Sequence, residues 1–137
     1  MAAFTCLVGL FTAPSTGSWS TAPGDWVSET LIVKPERHVV HVADLNGAEA
    51  LELGTLSRET IAVVSQLANP DQVYVCLWSH GPVHIHFVVQ PVDAELMALF
   101  GAHGPKLQLT MFNSGSPPDE ASVGAFADAA RALFIRS

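Results

Sequence analysis

The chain is short of charge, above all of positive charge. Only 14% of its 137 residues are charged, and the net charge is −7 because 13 acidic residues outnumber 6 basic ones. Binding to nucleic acid or to an anionic membrane needs cationic surface to neutralise phosphates, so this balance argues against both partners. The apolar runs are shorter than the roughly 20 residues that span a bilayer. No Lys or Arg precedes Lys34, although a secretory signal begins with a basic segment.

Cysteine is equally sparse. Cys6 and Cys76 form neither a CxxC motif nor a disulfide framework, and Cys76 lies in an apolar run where a reduced, buried thiol is usual. We therefore expect a soluble protein of the reducing cytoplasm. Apolar residues make up 49% of the chain, which excludes disorder and suggests that a partner subunit covers some apolar surface. Residues 1–137 have the length of a single domain.

The strongest helical pattern lies in the middle of the chain. Asn46 followed by Glu49 predicts a capping box, and Asn69-Pro70 predicts the helix end. Between them, apolar and small residues recur at helical spacing: Leu53, Leu56, Thr60, Val63, Val64 and Leu67. Two shorter helices are expected, one from Asp93 to a stop at Gly101 and one that begins near residues 116–119.

Extended segments flank the long helix. Runs rich in β-branched and aromatic residues predict about five strands: one at the N-terminus, then residues 26–33, 38–42, 73–78 and 83–91. The 73–78 run is apolar on both faces, which favours a central strand. Residues 12–25 are rich in turn formers and predict a loop, whereas 107–111 is a brief apolar stretch. The order predicts an α+β domain: an antiparallel sheet with a long helix on one face and a C-terminal helix.

The segment His84-Ile85-His86 carries the best candidate for chemistry. In a strand over 83–91, Val83, Ile85, Phe87 and Val89 would face the core, and His84 and His86 would share the opposite face. Two imidazoles on an apolar strand are costly without partners. His41 and His103 are better explained as surface residues. Two kinds of site remain open: a metal site completed by His80 or His38, or an imidazole nucleophile that needs no cofactor.

A family resemblance bears on this choice. The segment Leu31-Ile32-Val33-Lys34-Pro35-Glu36-Arg37-His38, the leucine-rich helix, the 73–78 strand and His84-Ile85-His86-Phe87-Val88-Val89-Gln90-Pro91 follow one another in order and spacing. This arrangement resembles the histidine-triad (HIT) superfamily of nucleotide hydrolases and transferases. The resemblance covers roughly residues 26–91 and implies a HIT-like fold.

The resemblance also implies roles for individual residues. His84 matches the first triad histidine, and His86 matches the middle one, the nucleophile that forms a covalent nucleotidyl-histidine. Val88 stands in the place of the third histidine, and we expect His80 to replace it. His38, Gln90 and Trp78 are expected to contact the substrate.

The implied activity is cleavage at the α-phosphate of a dinucleoside polyphosphate, as in diadenosine polyphosphate hydrolases, or of a nucleoside phosphoramidate. The resemblance further implies a homodimer whose two sheets join into one of ten strands. Two alternatives stay open. One is a nucleotide-binding module of the same fold with little catalysis, suggested by Val88, and the other is a metalloenzyme with histidine ligands.

Overall fold

The computed structural model describes residues 4–8, 29–77, 84–114 and 119–134. Its strands and helices, in chain order, are β1 (Phe4–Val8), β2 (Leu31–Pro35), α1 (Gly47–Ala68), β3 (Gln72–Leu77), β4 (Phe87–Val92), α2 (Ala94–Phe100), α3 (Gly104–Ser114) and α4 (Glu120–Phe134). A 3-10 turn at Val42–Asp44 precedes α1. The α+β class predicted from the sequence is confirmed.

The four described strands form one antiparallel sheet in the order β1-β2-β4-β3. Val89 lies opposite Leu31 on one side and opposite Val75 on the other, so β4 is an inner strand. Pro91 cannot donate a ladder hydrogen bond. It is tolerated in β4 because pairing with β2 ends at Val89, and beyond that residue the paired partner is β3.

The expectation of about five strands is not met among the described residues, because 38–42 is not a strand. The chain bends there instead: the amide of Asp44 donates to the carbonyl of His41 (3.0 Å) and closes the 3-10 turn. Arg37 Nη2 also donates to the carbonyl oxygen of Asp44 (3.0 Å), which draws the segment back on itself. A contact between residues seven positions apart cannot be predicted from the strand propensity of the individual residues.

Helix α1 follows its sequence signals closely. Asn46 Oδ1 accepts from the amide of Glu49 (2.9 Å), and the Glu49 carboxylate accepts from the amide of Asn46 (2.8 Å), so the predicted capping box is present. At the other end Asn69 adopts the left-handed conformation, with φ of 47°, which stops the helix before Pro70. The shorter predicted helices are also confirmed, and α2 is capped by Asp93 and ended by Gly101 at φ of 59°.

The main core lies between α1, α4 and one face of the sheet. Its fully or mostly buried members are Leu31, Val33, Val63, Val64, Val89 and Ala130. Phe87 packs against this cluster together with Phe126 of α4. The prediction that Phe87 and Val89 face the core is therefore confirmed.

A second core occupies the opposite face. Leu107 and Met111 of α3 are fully buried against Val92 of β4, and Tyr74 of β3 packs beside them. The stretch 107–111 is thus part of a helix. Its signals were Pro105 in the first turn and the four-residue spacing of Leu107 and Met111.

Strand β3 lies at the edge of the described sheet, so the prediction of a central strand was wrong. Val75 and Leu77 are 39% and 41% exposed although both are apolar. An apolar strand need not be central when something outside the domain covers it. Within the described part of the chain, no helix is long and apolar enough to cross a membrane.

Candidate functional site

The two histidines precede β4 rather than lying within it. The predicted strand over 83–91 begins in the structure only at Phe87, so the expectation that His84 and His86 belong to a strand was wrong. The reason is a different backbone partner: the amide of Ile85 donates to the carbonyl of Val39 (2.8 Å). This bond ties residues 84–86 to the segment that follows β2.

The ring of His86 is oriented by the main chain. Its Nδ1 lies 3.1 Å from the carbonyl oxygen of His84, and the side chain is half-buried. A carbonyl oxygen only accepts, so the contact requires a proton on Nδ1. In the neutral ring the lone pair is then on Nε2, which is the arrangement a nitrogen nucleophile requires.

The ring of His84 is held by the segment around Pro35. The carbonyl oxygen of Pro35 accepts a hydrogen bond from the imidazole. The ring of His38 stands edge-on to it, with centroids 5.3 Å apart and an interplanar angle of 84°. His84 Nε2 is buried and has no hydrogen-bond partner among the described residues.

This environment favours the neutral form of His84. Burial is the main cause that lowers the pKa of its imidazole below the usual value, and the Pro35 carbonyl opposes the shift. The charges of His38, Lys34 and His86 lower the pKa further. With His84 neutral, this ring places no positive charge beside the ring of His86.

Two cationic residues, Lys34 and Arg37, lie close to His38 in the sequence. In the structure they make different interactions. Lys34 is near enough for its charge to act on His84. Arg37 instead pairs with Glu49 at the start of α1, with Nη2 2.7 Å from Oε2. Sequence analysis did not identify this pair, because nothing local links residues twelve positions apart.

Val88 is fully buried on the sheet face opposite α1. Cys76 lies directly opposite it on β3. The side chain of Gln108, from α3, lies near the Cys76 thiol, whose pKa is raised by burial and lowered to a smaller extent by Gln108. The position that resembles the third triad histidine is therefore enclosed and occupied by an apolar side chain.

Gln90 also belongs to this enclosed face. Its side chain is 1% exposed, and Oε1 accepts from the hydroxyl of Thr30 (2.8 Å). A second, longer hydrogen bond runs from Nε2 to the carbonyl oxygen of Pro91 (3.4 Å). Direct contact of Gln90 with substrate stays a prediction, and in this structure the residue links β2 to β4.

The remaining candidates divide into two groups. Trp78 and His80 lie outside the described residues, so their expected roles stay predictions. His41 and His103 are exposed, as expected for surface histidines. Within the described ranges, no group of three or more His, Cys, Asp or Glu side chains is placed to hold a metal ion.

Comparison with known proteins shows similarity in structure rather than in sequence. No protein-family model and no curated protein matches the chain. Among solved structures, the NitFhit protein of C. elegans superposes with a TM-score of 0.56 at 18% identity, over 77% of this chain and 22% of the other. A hypothetical histidine triad nucleotide-binding protein of Sulfolobus tokodaii gives a TM-score of 0.54 at 13% identity, over 79% of this chain and 70% of the other.

A third similar structure, a zinc-bound histidine triad family protein of Mycobacterium smegmatis, gives a TM-score of 0.54 at 16% identity, over 80% of this chain and 74% of the other. At such identities the similarity establishes a shared fold. The chain spans less than a quarter of the nematode protein. The fold expected from the sequence resemblance is thereby confirmed.

Proposed function

We propose that this chain, whose fold is that of the histidine-triad superfamily, is a nucleotide hydrolase or transferase with His86 as its nucleophile. Its proposed substrates are dinucleoside polyphosphates and nucleoside phosphoramidates, both of which offer an α-phosphorus with a leaving group. Support comes from the solved relative described as nucleotide-binding and from the geometry around His86.

One observation carries the proposal: His86 Nδ1 lies 3.1 Å from the carbonyl oxygen of His84. An imidazole in which Nδ1 donates to a fixed acceptor presents its Nε2 lone pair in one direction. The ring is therefore already in the tautomer that nucleophilic attack requires.

The proposed reaction is a double displacement. His86 Nε2 attacks the α-phosphorus and forms a P–N bond while the bond to the leaving group breaks. The leaving group departs with the bonding electron pair and takes up a proton, for which His80 is the proposed donor. Water then attacks the phosphorus and gives up a proton, for which the deprotonated His80 is the proposed acceptor. The P–N bond breaks with its electron pair returning to His86 Nε2, and the nucleoside monophosphate is released.

Charge near the site supports this assignment. Lys34 acts electrostatically on His84, so a phosphate that approaches His86 would meet a positive potential in an otherwise acidic protein. His38 and Trp78 are the proposed substrate contacts. Gln90 would act indirectly, because its amide is buried against Thr30.

The test is capture of the intermediate. Protein is incubated with a panel of adenosine and guanosine phosphoramidates and polyphosphates, quenched, and searched by mass spectrometry for a nucleotidyl adduct on His86. We expect His86→Ala to lose the adduct and to lower turnover by on the order of 10³-fold or more. His103→Ala, which removes an exposed histidine, is the matched control and should keep both. An adduct on another residue, or unchanged turnover in His86→Ala, refutes the proposal.

A second candidate function is nucleotide binding with little catalysis. It is favoured by Val88, which is buried and apolar where the family resemblance expects a third imidazole. Calorimetry that detects AMP or GMP binding, in a protein that turns over none of the panel, would support this candidate over the enzyme.

We also propose that the protein is a homodimer joined through β3. This strand is at the edge of the described sheet and exposes Val75 and Leu77. A second copy that pairs with β3 would provide partners for the backbone N–H and C=O groups of this edge strand. It would also cover these two side chains.

A further inference from the structure

Arg37 and Glu49 make the closest ion pair in the neighbourhood of the histidines. Nε and Nη2 of Arg37 reach the two carboxylate oxygens of Glu49 at 3.1 Å and 2.7 Å. The Glu49 side chain is only 5% exposed, whereas that of Arg37 is 52% exposed. A two-point contact with a buried carboxylate fixes the direction of the guanidinium as well as its distance.

The carboxylate of Glu49 is itself immobilised by the helix. It accepts from the amide of Asn46, and the amide of Glu49 donates to the Asn46 side chain. The guanidinium of Arg37, and to a smaller extent the amide of Asn46, hold the pKa of Glu49 below its usual value, so the group stays ionised near neutral pH. Arg37 is therefore attached to the first turn of α1, which is packed on the core through Val63 and Val64.

The residues on either side of Arg37 hold the histidine segment. Pro35 accepts from the ring of His84, His38 packs edge-on against that ring, and Val39 accepts from the amide of Ile85. All three contacts come from a five-residue stretch with Arg37 at its centre. The described residues 38–41 have no strand or helix of their own to keep them in place.

We propose that Arg37 and Glu49 are positioning residues for the histidine pair. By tying residues 35–39 to the start of α1, they keep the ring of His84 and the carbonyl that orients His86 in place. An effect of these two residues on catalysis rests on the proposed function. Their effect on the position of the histidine rings does not. Loss of the contact would let the half-buried ring of His84 move and let His86 lose its fixed acceptor.

The experiment uses NMR of the full chain with 15N-labelled histidine rings. In the wild-type protein we expect a cross-relaxation signal between the rings of His38 and His84 and a His84 pKa below 6.5, the usual value. Arg37→Gln should weaken the signal and move this pKa up towards 6.5. Arg37 is not among the charges that act on His84, so a shift reports displacement rather than lost charge.

Two further variants test the contact itself. Arg37→Lys keeps the charge without the two-point geometry, and it should shift the His84 pKa in the same direction. Glu49→Gln keeps the shape of the carboxylate without its charge and should do likewise. If Arg37→Gln does not fold, these two variants decide the question.

Two controls separate positioning from general stability. Asn46→Ala weakens the helix cap but keeps the amide that binds Glu49, and Arg131→Gln removes the ion pair with Asp128 on α4. Both should leave the His84 pKa and the ring signal unchanged. An equal shift in Asn46→Ala, or none in any Arg37 or Glu49 variant, overturns the inference.

Kinetics supply the functional half of the test. Misplacement of a reacting group by about 1 Å can cost about 10²-fold, so we expect Arg37→Gln to lower kcat by about tenfold or more with a smaller change in KM. Normal kcat in a variant whose rings have moved would overturn the catalytic role. If the wild type forms no adduct, the proposed function fails, but the NMR result still decides whether Arg37 and Glu49 position the rings.

Discussion

The imidazoles of His38 and His84 meet edge to face, with centroids 5.3 Å apart. They come from parts of the chain 46 positions apart. Since burial is the main cause of the lowered pKa of His84, the state of this ring depends on its neighbour. The first two predictions follow from this dependence.

Stability should fall as the pH drops below about 6.5, the usual pKa of histidine. The folded chain holds the pKa of His84 below that value, so the unfolded chain binds more protons in this range. The stability from a neutral His84 is therefore complete above pH 6.5 and declines as the pH falls through the folded pKa. Urea unfolding at pH 5 to 8 measures this slope. The dependence of stability on pH should become weaker in His84→Gln. It should persist in the control His103→Gln, which removes an exposed ring. Equal slopes in the wild type and both variants would contradict the prediction.

Substitution of His38 should separate the effect of its bulk from that of its charge. Both His38→Phe and His38→Ala remove the charge that lowers the pKa of His84. Only Phe keeps a ring against it. We expect the pKa of His84, followed by NMR, to stay low in His38→Phe and to rise towards 6.5 in His38→Ala. Identical values in the two variants would mean that the edge-on contact does not shield the ring.

Placing an imidazole at position 88 should destabilise the protein without restoring a triad. Val88 is fully buried opposite Cys76, so Val88→His puts a polar ring there at a cost of about 1–3 kcal/mol. Its larger volume adds about 1–3 kcal/mol. Urea unfolding measures the change, and Val88→Leu serves as the control for volume alone. A Val88→His protein as stable as the wild type and more active would contradict this expectation.

Charge on the exposed edge strand should dissociate the proposed homodimer. Val75→Lys places an ammonium group in the apolar strip of β3, where pairing with a second copy would bury it. Sedimentation of the variant should show a monomer where the wild type is a dimer. Leu51→Lys, at a helix position that is 79% exposed, should leave the dimer intact. A wild-type monomer at all concentrations would refute the assembly.

Local signals predicted the parts of this fold that depend on neighbours in sequence. Asn46 and Glu49 mark the start of α1 and Asn69 its end, since caps are built from residues within one turn. The alternation of Phe87 and Val89 predicted the buried face of β4 for the same reason. The bend at 38–41 was missed because it depends on Arg37, whose partner Glu49 lies in the next helix.

The sequence indicated candidate residues for a site, and their roles stay predictions, but it could not indicate their geometry. The spacing of His84 and His86 indicated a paired site, yet their rings are oriented by the carbonyls of Pro35 and His84 itself. Main-chain acceptors carry no signature in a sequence. The edge position of β3 could not be predicted from the sequence either. An apolar pattern indicates that a strand is covered, but it does not indicate which part of the protein or which partner covers it.

The enclosure of Val88 limits how such a protein can be redesigned. Its neighbours on that face include Cys76 across the strand pair, with Gln108 near the thiol. An engineer who wants a full set of three imidazoles must reshape the covering helix and the facing strand together, since each single replacement lowers stability before it adds any chemistry. Stepwise selection would meet the same stability barrier at position 88.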